Sequence, residues 1–534
     1  MAAGRTGMPT SRAVRPRAAA WRAVVAFLSL APALLPLGGC INQPALLPLA
    51  QRKPFDRRSV EFPSGYVLTP LVRGLNCPTA LCFDADRDDL LVAESGIDGS
   101  EPHIFGYHLS DGSYFSLYPF KRTVSFYPTG FVIYGPVGGM VVHDGRVYVS
   151  HRDRDGRGVI TAFGYDGTHA TIVANLPAQG DYGVTDLVVN KGRLFFGIGT
   201  ATNSGVVGLD NWDAGWLKHH PDVCDQAYSW DNPPAPLVLN GPRFDTPNPR
   251  AGLGQPDIVV TTPFQPFGHS NQSRIRPATI PNGAVCSVAL DDGGDVQVLA
   301  TGLHNPRGLA VDEFDHMYAT NDGIQLRGTR PVAGDPDVLI NVSANRWYGW
   351  PDFTTNGNSV TDPRYAPPIS FLVKTGYSEL GPLINADASD LHLPKPFDAN
   401  LAGVFPSLSG AAKLDFVPAT GPFARFRGSA VVALDGDRAP YASGGLPLLG
   451  FVGGKVDLVD VYGRRVHDFI FNTAGKPASR QDYGTVALER PCDAKFGPDG
   501  ALYILDFGQM ENDSAVPRYH NGTGAIYKLD AVGR

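Results

Sequence analysis

Eight polar residues stand where this chain could do chemistry: Asp186, His304, Asn305, Arg307, Lys413, Asp415, Asp493 and Lys495. The set holds acids and an imidazole able to take a proton, three cations able to hold an anion, and an amide able to orient a ligand. Each lies just before a short apolar run or within it. Lys413 and Lys495 fall inside their runs, and lysine is almost never fully buried unless paired. Two explanations follow. Lys413, Lys495, Asp186 and Asp493 neutralise one another around a wet channel, or the lysines hold an anionic ligand. Trp347, Tyr348 and Trp350 also have two uses, as a wall on which a sugar ring stacks or as internal packing. The run His151 to Gly156 spaces oxygen atoms somewhat as a calcium loop does, but its arginines oppose a cation and it lacks the distal glutamate. It reads as a solvated turn. His219, His220, His269 and His316 show no paired metal-ligand spacing.

The apolar runs supply the framework that must bring these groups together. Asn305 to Gly323 reads as lead-in loop, strand, polar turn, second strand and an Asn-Asp-Gly stop, the pattern of a β-hairpin. The same pattern recurs at 77–96, at 138–151 with an Asp144-Gly145 turn, at 184–200, at 410–434 in degenerate form, and at 491–508. Further strand-like runs separate the copies. Six units of four short strands predict an all-β, six-bladed β-propeller. Its lead-in loops open onto one end of a central channel, so residues distant in sequence converge there. The run Tyr66 to Leu71 should pair with Gly522 to Leu529 and close the ring, leaving no open edge. Long insertions are expected around 201–282 and 354–408, both rich in Pro, Asn, Asp and Gly.

Composition narrows the class. Glycine (62) and proline (46) make up about a fifth of the 534 residues, as suits many short strands and turns. The formal charge of -7, without a basic stripe, argues against nucleic acid as a partner. Residues 1–39 read as a secretory signal of lipoprotein type. Arg5 to Arg22 supply a basic start, 23–37 an apolar stretch broken by Pro32 and Pro36, and Leu37-Gly38-Gly39-Cys40 resembles the box in which the cysteine is lipidated. That implies an exported protein, periplasmic or at the cell surface, bound to a membrane through lipid on Cys40. Residues 40–60 suit a tether and 61–534 the propeller. Export permits disulfides: either Cys77 bridges to Cys82 within the first lead-in loop, or Cys492 bridges to Cys77 or Cys82 across the ring closure.

From Gly302 to Gly323, GLHNPRGLAVDEFDHMYATNDG, the chain resembles the soluble glucose/sorbosone dehydrogenase family. Tyr348-Gly349-Trp350-Pro351, 426–437, 490–507 and 524–529 resemble further stretches of it. The resemblance implies a propeller that holds pyrroloquinoline quinone (PQQ) and calcium at the channel mouth. It implies oxidation of an aldose or a sorbosone-type sugar, with electrons passing to an external acceptor. Carried onto this chain, it casts Asp186, His304 and Arg307 as catalytic. Asn305, Lys413, Asp493 and Lys495 become cofactor-binding, and Trp347, Tyr348 and Trp350 substrate-binding. Two departures stand out. The family's base histidine is missing from 180–186, where Asp186 takes roughly its place, and His304 replaces an arginine. The alternative is a non-catalytic propeller lipoprotein that binds carbohydrate or protein.

Overall fold

The computed structural model describes residues 47–120, 132–252, 254–270, 272–291, 294–389, 400–446, 448, 450–481 and 484–533. All belong to one unit, Leu46–Arg534. The expected signal segment, Cys40, the first part of the expected tether and 390–399 of the second insertion lie outside the described residues. Among those residues no helix is long and apolar enough to cross a membrane.

Six sheets form the body, each with four antiparallel strands; in blades 3 and 5 a two-residue strand adds a fifth at the outer edge. Blade 1 comprises Pro78–Asp84, Asp89–Glu94, His103–His108 and Tyr114–Tyr118. Blade 2 comprises Tyr134–His143, Arg146–Arg152, Gly158–Phe163 and His169–Leu176. Blade 3 comprises Val184–Asn190, Arg193–Ile198, Ala284–Ala289 and Gln297–Thr301. Blade 4 comprises Leu309–Val311, Met317–Asn321, Asp337–Asn341 and Leu401–Phe405. Blade 5 comprises Ala411–Phe416, Ser429–Leu434, Lys455–Asp460 and Arg465–Asn472. Blade 6 comprises Pro491–Phe496, Leu502–Asp506, Gly524–Ala531 and, from the other end of the chain, Tyr66–Leu75. The predicted hairpins are the two inner strands of every blade. The predicted closure is present too: Tyr66–Leu75 pairs with Gly524–Ala531 from Tyr66 opposite Ala531 to Leu75 opposite Gly524.

Burial explains why the sheets form a ring. Between each pair of neighbouring blades lies one apolar cluster, for example Leu309, Ala319, Val338 and Ile340 with Val285 and Ala300 between blades 3 and 4. The first strands of adjacent blades touch all the way round. Blades 2 and 3 approach so closely that a Cβ on Gly139 would lie 2.7 Å from the Asp186 Cα. Any larger residue there would push the channel wall apart.

The two insertions pack on each other. Leu237, Leu239, Phe244, Phe264 and Ile275 from the first meet Val360, Tyr365, Leu372, Leu380 and Leu383 from the second in one apolar cluster. Arg330 staples it from within, donating to the Pro351 carbonyl at 2.7 Å, the Gly381 carbonyl at 2.9 Å and Asp352 at 3.0 Å.

Two expectations need correction. Residues 47–60 are bound down rather than free as a tether. Arg52 forms a buried ion pair with Glu489, and Val60–Glu61 adds to the outer edge of blade 5. The staple from Cys492 to Cys77 or Cys82 is not formed, because all three thiols are free. Cys492 Sγ instead lies 3.3 Å from the Pro78 carbonyl.

Candidate functional site

The structure sorts the predicted residues into a channel group, a mouth group and an enclosed aromatic group. The channel group comes from the first strands of blades 3, 5 and 6. Lys413 Nζ lies 3.5 Å from Asp186 and 3.8 Å from Asp493. Lys495 Nζ lies 3.9 Å from each of the same two acids. The remaining valences tie blade to blade. Lys413 donates to the Thr79 carbonyl of blade 1 at 2.8 Å, and Lys495 to the Leu414 carbonyl of blade 5 at 2.8 Å. Asp186 accepts from the Leu309 N–H at 3.1 Å, Asp493 from Leu81 at 3.0 Å and Asp415 from Phe496 at 2.9 Å. Burial works against the Lys495 ammonium, but Asp186, Asp493 and Asp415 outweigh it and hold its pKa above the ordinary value. The lysines are inside because acids already neutralise them. The four groups face one another, as the first of the two explanations offered by the sequence requires.

The mouth group folds back on its own hairpin. The Asn321 Oδ1 accepts from the His304 and Asn305 N–H groups, both at 3.0 Å. Asn305 Nδ2 donates to Asp322 Oδ2 at 2.8 Å. His304 Nδ1 lies 3.1 Å from the Asp322 carbonyl, so that nitrogen carries the proton. The ring is fully enclosed and meets the Tyr182 ring edge-on, with centroids 5.1 Å apart. Burial first, then the Arg327 charge, pushes its pKa down to about 3, so His304 is neutral at physiological pH. Arg307 is bound to Asp435 and lies 3.8 Å from Asp322. Arg438 lies 3.7 Å from Asp435. Arg490 donates at 2.9 Å to the carbonyls of both Asp435 and Asp437.

Beside them Arg327 binds Asp181 at 2.6 Å and Asp210 at 2.7 Å, under the Tyr441 ring. The space left among Tyr182, Arg307, Asp322, Asp435 and Arg438 is about 20 Å³, room for a single water. Sequence reasoning missed Tyr182, Arg327, Asp322, Asp435 and Arg490, since their pairing is long-range. The Asn321-Asp322 pair at the end of the second strand of the hairpin was the one local signal.

These residues do not fit PQQ. A tricarboxylate needs several cations with free donors and a cavity far larger than one water. Here Arg307, Arg327, Arg438, Arg490, Lys413 and Lys495 already face acids or carbonyls. For calcium, no group of three or more His, Cys, Asp or Glu side chains is placed to share a metal among the described residues.

Trp347, Tyr348 and Trp350 are buried and present no face to a ligand. The Trp347 indole N–H donates to the Trp350 carbonyl and the Trp350 indole N–H to the Asn203 carbonyl, each at 3.1 Å. The Tyr348 hydroxyl donates to the Asn341 carbonyl at 3.0 Å. These polar tips anchor the insertion to blades 3 and 4. An open aromatic surface lies elsewhere, in a hollow of about 410 Å³ lined by Arg73, Glu94, His103, Phe105, Tyr114 and Ser116. Tyr114 there is 59% exposed.

The crowded acids at the mouth make a prediction. Burial pushes the Asp322 carboxyl up to about 7, with Arg307 opposing and Asp337 and Asp435 adding to the rise. The folded state therefore keeps this proton to higher pH than the unfolded chain does. Stability linked to it is complete below about pH 4 and lost as pH rises through about 7. Asp322→Asn cannot ionise, so its stability relative to wild type should rise between pH 4 and 7, by up to roughly 1 kcal/mol per unit. Urea unfolding at pH 4.5, 6 and 7.5 measures this. A difference that stays constant with pH defeats the assignment.

Compared with models of known protein families and with characterised protein sequences, the chain matches none. Among solved structures it is similar to the holo PQQ domain of pyranose dehydrogenase from Coprinopsis cinerea, at 14% identity over 89% of this chain and 98% of that one, TM-score 0.47. It is similar to a Trichoderma reesei carbohydrate-active enzyme of family AA12, at 12% identity over 89% and 98%, TM-score 0.49. It is also similar to the apo-form of the soluble aldose sugar dehydrogenase of Escherichia coli, at 14% identity over 87% and 99%, TM-score 0.44. Likeness at this level is one of chain path, and the chemistry rests on this chain's own residues.

Proposed function

We propose that this chain is an exported propeller, anchored through lipid on Cys40, that binds carbohydrate without carrying PQQ. The observation that carries the reading is the pairing at the channel: its cations are committed to the protein's own acids and carbonyls. Oxidising a sugar hydroxyl through a quinone needs a cation free to face the quinone oxygen and a base that reaches the hydroxyl. Arg307 is held by Asp435 and Asp322, and His304 is sealed from solvent. What remains suits recognition. The exposed Tyr114 ring offers an apolar face to a pyranose, with Arg73, Glu94, His103 and Ser116 around it to meet hydroxyls.

The experiment is a titration with PQQ and calcium, followed by dye reduction with a panel of aldoses. The expected result is neither a stoichiometric absorbance change nor turnover. In parallel, calorimetry with the same sugars should detect binding that Tyr114→Ala weakens roughly threefold to tenfold. Stoichiometric PQQ uptake with dye reduction overturns the reading.

A second reading, a PQQ-dependent sugar dehydrogenase delivering electrons to an external acceptor, is favoured by one observation. The adjacent residues His304 and Asn305 each keep a buried acceptor, Nε2 and Oδ1, without a hydrogen-bond partner. In that reading a ligand satisfies both atoms once Arg307 leaves Asp435. The same titration separates the two.

A further inference from the structure

Three turns meet between blades 1 and 2, at the end of the ring opposite the lead-in loops. They are 85–88 in blade 1 and, in blade 2, 144–145 and 164–168. They border a hollow of about 610 Å³ lined by Arg87, Arg146, Tyr165, Asp166, Thr168 and His169, among others. Arg146 is short of partners there. Its Nη2 donates to the Ala162 carbonyl at 3.2 Å, the far end of the hydrogen-bond range. Its Nε is buried without an acceptor, and among the described residues it forms no ion pair. Arg87 crosses the face of the Tyr165 ring, its guanidinium carbon 4.1 Å from the ring centre. Its Nε lies 3.5 Å from Asp84, and its terminal nitrogens make no hydrogen bond among the described residues. By contrast Arg307, Arg327, Arg330 and Arg490 are all bound to acids or carbonyls.

The two acids nearby are already engaged. Asp84 is buried and accepts from the Tyr165 hydroxyl at 2.8 Å. Asp166 is tied into its own turn, accepting from the Thr168 hydroxyl at 2.7 Å and the Thr168 N–H at 3.0 Å. Two guanidinium groups from neighbouring blades therefore line one hollow with donors that the protein does not use. Arginine keeps its charge in a protein, so the group that completes these donors is an anion. Two guanidiniums and an imidazole suit a dianion better than a single charge. A phosphate monoester carries about -1.5 to -2 at neutral pH, and its oxygens match the arginine fork. The room is larger than an inorganic ion needs, and the Thr168 hydroxyl and His169 imidazole beside it suit a polyhydroxylated skeleton.

We propose that this hollow is a second binding site, for a small sugar phosphate whose phosphoryl group bridges Arg87 and Arg146 and whose hydroxyls meet Thr168 and His169. On binding, Arg146 gives up its long contact with Ala162 and turns Nε and a terminal nitrogen side by side onto the phosphate. Arg87 is held in place for the same anion by Tyr165 beneath it. The site shares no residue with the Tyr114 hollow and does not depend on what binds there.

The test is calorimetry in low-salt buffer on the full chain carrying Tyr114→Ala, which removes the aromatic face of the other hollow. Arg146→Met or Arg87→Gln is then added to that parent. The titrants are glucose 6-phosphate, glucose, glucuronate and inorganic phosphate. Glucose 6-phosphate should bind the parent, and each arginine change should weaken it roughly tenfold to a hundredfold. Inorganic phosphate should bind more weakly, and glucose should show no difference among the three chains. Both variants should melt cooperatively within about 3 °C of the parent, since one loses a long hydrogen bond and the other a half-exposed ion pair. Arg87→Gln, on a surface turn, decides alone if Arg146→Met does not fold. The site is overturned if glucose 6-phosphate does not bind, or if a folded variant keeps the parent's affinity. Tighter binding of glucuronate overturns the phosphate assignment, and equal binding of inorganic phosphate overturns the sugar skeleton.

Discussion

Replacing Asp493 by leucine should cost the fold about 3–5 kcal/mol, the range for removing one partner of a buried ion pair. Three losses coincide. Lys413 and Lys495 each lose an acid at less than 4 Å, and the Leu81 N–H of blade 1 loses its acceptor. The remaining Asp186 then faces two buried ammonium groups. Urea unfolding at neutral pH gives the number, with Asp493→Asn as the companion that keeps size and hydrogen-bonding atoms. Pairing Asp493→Leu with Lys413→Met should cost less than the sum of the single changes, because the groups share one network. A loss below about 1 kcal/mol would mean that water, not Asp493, neutralises the lysines. The acids and lysines would then be channel lining rather than a structural lock.

A chain that begins at residue 76 should fail to fold as a soluble monomer. Removing residues 66–75 strips blade 6 of its outer strand and leaves Gly524–Ala531 as an open edge. It also removes buried Tyr66 and Leu68 from the core between blades 5 and 6, and Val72 and Leu75 from the core between blades 6 and 1. Tyr66 alone stacks on Phe423 at 4.4 Å and donates to the Pro422 carbonyl at 2.8 Å. A chain that begins at residue 60 keeps the strand and loses only the Arg52–Glu489 pair and its surroundings, so it should fold with reduced stability. Size-exclusion chromatography and thermal melting compare the two. Cooperative melting of the shorter chain within about 5 °C of the longer one would show that five blades and three strands close without the final strand.

The blades were legible because their signals are local. A hairpin such as 138–151 carries its own turn chemistry at Asp144-Gly145, and period-two apolar runs say which residues face a neighbour. Ring closure was legible for a related reason, since two unpaired strands at opposite ends of the chain can complete one sheet by pairing with each other. The insertions were legible as insertions, not as the single packed annex that Arg330 and the two Trp side chains hold together. Their contacts join 201–282 to 354–389, and no spacing encodes such pairs.

The site divides along the same line. Residue type and position placed Asp186, Lys413, Asp415, Asp493 and Lys495 in lead-in loops or on the inner strands that follow them, and these share one channel, so their convergence followed from the fold. Which charges cancel did not. Lys413 meets acids from blades 3 and 6, and Arg307 meets Asp435 from blade 5, more than a hundred residues away. By itself the sequence determined a six-bladed ring and the inventory of charges at its centre, because strand period and turn chemistry act over a few residues. Only the tertiary structure decided which of those charges are spent on one another, because electrostatic pairing depends on distances of a few ångströms between blades.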